Sequence, residues 1–121
     1  MRATKVLVVG VGSRMRGDDM AGPFTIDILR ERMEAGERPA GFDIELIDAD
    51  VMPENYTRPI RSSGAEMVLL VDAVDMGLPP GEIRIVPRER IDATLPCTHT
   101  LPMSHVMAYL NEAVPRVELV G

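Results

Sequence analysis

Apolar and polar positions along this chain change period several times, and each change predicts an element. Lys5–Gly10 (KVLVVG) is short, β-branched and apolar after Lys5, the pattern of a buried strand. Gly22-Pro23 then opens a helix, with proline in the first turn where its missing N–H costs nothing. Ile26, Leu29 and Met33 form the apolar stripe of that helix, and Gly36 stops it. Asp43–Asp48 (DIELID) alternates as a half-exposed strand does. Pro53–Arg61 (PENYTRPIR) reads as a short helix broken near Pro59, and Met67–Asp72 as the central strand. A turn-rich stretch, Asp75–Gly81 (DMGLPPG), precedes Glu82–Pro87 (EIRIVP), which alternates like an edge strand. Met103, Val106, Met107 and Leu110 mark a helix over Pro102–Glu112, and Arg116–Gly121 (RVELVG) is a final strand.

Strands alternating with helices predict an α/β fold, three layers deep (α/β/α), around a mostly parallel sheet. With 121 residues and no Pro/Gly/Ser linker or repeat, residues 1–121 are read as one domain. The last predicted element is a strand, so a helix closing that side of the sheet is expected to be lacking.

Composition mainly removes possibilities. The net charge of −6 gives no electrostatic support for nucleic-acid binding or for attachment to a membrane surface. No apolar run approaches the roughly 20 residues that span a bilayer. The N-terminus enters a strand without a signal-peptide pattern, and the lone Cys97 excludes an internal disulfide. The expected compartment is the cytoplasm.

Candidate chemistry gathers where strands end. In open α/β sheets, ligands bind outside the carboxyl ends of the strands. Asp72 follows the apolar run MVLLV directly, and a carboxylate shielded there needs a partner, a proton or a metal. Asp18 and Asp19 follow the first strand; either favours a helix N-terminus, but the repulsion of adjacent acids is relieved by a cation. His99 precedes the last helix, a position that favours the neutral imidazole a metal ligand must be. Asp19, Asp72 and His99 make an O,O,N donor set suited to a borderline divalent ion. The bland alternatives are an Asp18 that only complements the helix dipole, a loop acid at Asp75 and a surface His105. Cys97, two residues before His99, offers a nucleophile or a small buried apolar group. Gly10 and Gly12 suggest a nucleotide-binding α/β module, but Gly17 falls too late for G-x-G-x-x-G, and Asp48 lies 36 positions after Gly12 rather than about 20.

The segments GVGSRMRGDDMAGP (Gly10–Pro23), PENYTRPIR (Pro53–Arg61), VLLVDAVDMGLPPGEIRIV (Val68–Val86) and THTLPMS (Thr98–Ser104) resemble the maturation endopeptidases of nickel–iron hydrogenases. The resemblance is to the type that serves formate-linked or energy-converting hydrogenases, and it covers most of the chain in the family's order. It implies an enzyme that removes the C-terminal peptide of a hydrogenase large-subunit precursor after nickel insertion. It also implies that the metal-contacting residues fall on Asp19, Asp72 and His99. The nickel would come with the precursor, and zinc or cadmium would suit the same donors. The family's glycine-rich turn after the second strand reads Asp48-Ala49-Asp50 here; its acid is kept at Asp48, a possible general base. Relatives continue beyond the final strand into a further helix. The partner implied is the nickel-loaded precursor, with no nucleic acid, membrane or nucleotide. A non-enzymatic nickel- or precursor-binding maturation factor is the alternative from another class.

Overall fold

The computed structural model describes residues 3–12, 21–50, 52–72, 85–87, 91 and 103–121. Its order is β1 (Thr4–Gly10), α1 (Ala21–Glu34), β2 (Phe42–Asp48), a 3₁₀ turn (Pro53–Tyr56), α2 (Thr57–Arg61), β3 (Met67–Val71), α3 (Met103–Asn111) and β4 (Arg116–Val120). The four strands form a sheet in the order β2-β1-β3-β4, and every pairing between them is parallel. Beyond β4, Ile85 makes an antiparallel bridge to Val120, and Val86 donates its N–H to Leu119 O at 2.8 Å. The edge position predicted for Glu82–Pro87 is met by its described part, residues 85–87.

The strand order explains the three layers. The chain leaves β1 for β2 in one direction, then returns across β1 to β3 and continues to β4. Right-handed crossovers therefore place α1 on one face and the later helices on the other. Packing follows that division. Ile26 of α1 lies against Val6 and Val8, with Leu29, Ile44, Leu46, Leu69 and Val71 partly buried around them. The opposite face is the larger core, where Leu7, Val9, Val68, Leu70 and Leu119 meet Ile60 of α2 and Met103, Val106, Met107 and Leu110 of α3. The stripe predicted for the last helix is buried residue for residue. His105, off that stripe, is exposed.

On its own face α1 is the only described helix, and a groove of about 630 Å³ lies beside it over Leu69, Val71 and Val120. Gly36 ends α1 at φ +92°, with Gly36 N–H bonded to Met33 O and Glu37 N–H to Arg32 O, a Schellman stop.

Sequence reasoning misplaced one break. The helix does not break at Pro59: a 3₁₀ turn passes into α2 after Tyr56, and Pro59 sits inside the first turn of α2. There its absent N–H has no helical acceptor to miss. Arg61 then fastens α2 to α3, donating to Tyr109 O at 2.5 Å with its guanidinium 4.3 Å from the Tyr109 ring centroid.

Candidate active site

Backbone hydrogen bonds tie the carboxyl ends of all four strands together. Ala49 N–H donates to Gly10 O, Gly12 N–H to Asp50 O and Val11 N–H to Val71 O, each at 2.8 Å, and Asp72 N–H reaches Val120 O at 3.1 Å. The crevice between β1 and β3 is the point where strand order reverses, the place where open α/β sheets bind their ligands.

Asp72 is delivered to that crevice by β3. Burial alternates along Met67–Val71, and Asp72 continues the buried phase set by Val68 and Leu70. It is 2 % exposed, the single charged residue buried among those described. Its carboxylate thus lies on the face covered by α3, beyond the apolar core and at the strand end. A position so depleted of water raises the cost of negative charge and strengthens attraction to any cation that enters.

The N-terminus of α1 closes on the same crevice. A methyl group on Gly22 would strike Val11 O and come within 2.6 Å of Val71 O. One on Gly10 would come within 2.5 Å of Ile26 Cγ1. These glycines allow close contact between helix and sheet. The start of α1 is therefore seated directly on the residue that precedes Asp72.

Asp48 ends β2, in register with Gly10, which in turn pairs with Val71. Two strand spacings, about 10 Å, separate its backbone from that of β3. Asp48 Oδ1 accepts the N–H of Asp50 at 3.2 Å, and Asp50 stands at φ +55°. A left-handed conformation costs a non-glycine residue about 1 kcal/mol, less for Asp than for most. Asp50→Gly is therefore expected to raise stability by up to about 1 kcal/mol in urea denaturation. A loss of stability would show that the Asp50 side chain supports the fold in another way.

Asp19 and His99 lie outside the described residues, as do Asp18, Asp75 and Cys97. The structure thus positions Asp72 and Asp48 of the predicted site residues. Among the described residues, no group of three or more His, Cys, Asp or Glu is arranged to hold a metal ion. No helix among them is long and apolar enough to cross a membrane.

The fold is that of one class of proteins. The chain belongs to the hydrogenase maturation protease family (HycI), whose profile matches residues 25–121. It is similar to the hydrogenase 3 maturation protease of Escherichia coli K12, 38% identical over 112 residues, which are 92% of this chain and 67% of that protein. The solution structure of the endopeptidase HycI from Escherichia coli superposes with a TM-score of 0.76 at 35% identity, over 98% of this chain and 71% of the other. A [NiFe] hydrogenase maturation protease HycI from Thermococcus kodakarensis gives 0.78 at 27% identity, over 98% and 72%. The chain thus spans about two thirds of the length of the curated relative and rather more of the solved structures.

Proposed function

We propose that this chain is an endopeptidase that removes the C-terminal peptide of a nickel–iron hydrogenase large-subunit precursor once nickel has been inserted. The observation that carries the reading is the buried carboxylate of Asp72 at the β1–β3 crevice, in a chain of the maturation protease family. Two sequence distances support the rest of the donor set. Asp19 precedes Ala21, the first residue of α1, by two positions, and His99 precedes Met103, the first residue of α3, by four.

In this reading Asp19, Asp72 and His99 contact nickel that the precursor carries, leaving coordination positions for the precursor's own ligands and for water. Nickel so held would polarise the scissile carbonyl or make a bound water a better nucleophile. Hydrolysis adds water to the carbonyl carbon, breaks the C–N bond and passes a proton to the departing amine. Asp48, at the same end of the sheet, is the candidate for accepting the water's proton.

The test is to incubate the chain with nickel-loaded and nickel-free large-subunit precursor and to weigh the C-terminus by mass spectrometry. Trimming of the loaded form alone is the expected result. Equal trimming of both forms would remove nickel from the reading. Binding without trimming would make the chain a maturation factor rather than a peptidase.

A further inference from the structure

The two edges of the sheet are treated differently. β4 is met by residues 85–87, whereas no described segment pairs with the outer side of β2. β2 is seven residues long, contains neither proline nor lysine, and pairs with β1 without a bulge; its charged Asp43 and Glu45 alternate with Ile44 and Leu46 and so lie on the face opposite α1. Edge strands are ordinarily blunted by such devices, because a flat unpaired edge is a template for another strand.

The ladder shows which groups face outward. Thr4 N–H donates to Gly41 O and Ala49 N–H to Gly10 O, bracketing the β1–β2 pairing. Alternation in a parallel ladder then turns the amides of Asp43, Glu45 and Ile47 toward β1, and those of Ile44 and Leu46 toward the outer side. The side chains of Ile44 and Leu46 lie on the α1 face. There, with Met33, Glu34, Arg30 and Arg38 of α1 and the turn beyond it, they line a hollow of about 250 Å³. Added chain would lie about 4.8 Å outside β2, with every second side chain above that hollow. Two guanidinium groups against one carboxylate at its rim favour an acidic side chain there. Two residues beyond Leu46 the strand ends at Asp48, level with Gly10, on the side of β1 away from the crevice.

We propose that the outer edge of β2 receives an extended segment of the protein substrate a few residues away from the scissile bond, pairing with it as an added strand about three strand spacings from β3. Main-chain bonds from Ile44 and Leu46 would hold the segment, and the hollow would select its alternate side chains. The inference rests on the endopeptidase reading, since only a substrate cut at the strand ends needs to be led there in extended form.

The probe is the large-subunit precursor, and the primary readout is amide hydrogen exchange of the unmodified chain at single-residue resolution. On binding, exchange at Ile44 and Leu46 is expected to slow at least about tenfold, while Asp43, Glu45 and Ile47, already in the ladder, change little. Leu46→Pro removes one outward donor and leaves the β1 ladder intact. It should raise KM for the precursor about tenfold with little change in kcat. If Leu46→Pro fails to fold by circular dichroism, the exchange result decides alone. Precursor processed with exchange at Ile44 and Leu46 unchanged would overturn the edge docking and leave the endopeptidase reading standing. Protection of the same amides by self-association, without precursor, would assign the edge to a second copy of the chain and overturn the proposal. Precursor neither bound nor cut by the unmodified chain would overturn both.

Discussion

Asp72→Asn should abolish processing of the precursor while leaving the fold as stable as before, or more so. The expected loss in kcat/KM is a hundredfold or more, in the range of about 10²–10⁴ for removal of a group acting directly at a reaction centre. The stability half of the prediction follows from burial. At 2 % exposure Asp72 is cut off from water, where a carboxylate costs more to hold than the neutral, nearly isosteric amide, which keeps an oxygen for the partners that the side chain has. Functional sites characteristically hold groups that the fold would be more stable without. The melting temperature of Asp72→Asn should therefore equal or exceed that of the unmodified chain. A fall of more than a few degrees, with activity retained, would make Asp72 an anchor of the β3 end and remove it from the site.

Gly22→Ala is expected to act in the opposite sense, destabilising the chain strongly. The added methyl would meet backbone on two strands at once, Val11 O of the segment following β1 and Val71 O at 2.6 Å. Backbone carbonyls held in ladders cannot turn aside as a flexible side chain would, so α1 must lift away from the sheet. Overpacking of this kind costs about 2–3 kcal/mol, or a drop of roughly 8–12 °C in melting temperature for a domain of this size. Lifting α1 also moves the helix start away from the residue that precedes Asp72. Any Gly22→Ala protein that still folds should then cut poorly. A melting temperature within about 2 °C of the unmodified chain would mean that the contact is looser than described.

Much of this was legible in the residues, for identifiable reasons. A strand buried on both faces must be apolar along its length: VLVVG, after Lys5, is apolar and buried, whereas MVLLV is apolar but only partly buried on its α1 face. The i, i+3, i+4, i+7 stripe of Met103, Val106, Met107 and Leu110 allows one buried face, and that face is buried. Asp72 was conspicuous because a carboxylate directly after five apolar residues has little access to water. Pro59 misled because a proline in the first turn and a proline that ends a helix look alike until the helix start is known. Here that start is set by the passage from the 3₁₀ turn at Tyr56.

What the sequence determined, then, was the set of elements, the alternation that makes the sheet parallel, and the strand end at which a buried acid appears. These are local properties, written in periods of two and 3.6 and in the chemistry of adjacent residues. Only the tertiary structure decided the order β2-β1-β3-β4, and with it everything that depends on which strands are neighbours. It set the crevice between β1 and β3 and the contact of Gly22 with Val71. It aligned Asp48 with Gly10, and it left β2, rather than β4, with an outer side that no described segment pairs. Neighbour relations between strands far apart in the chain come from crossover direction and from burial shared across the whole sheet, and no window of sequence contains either.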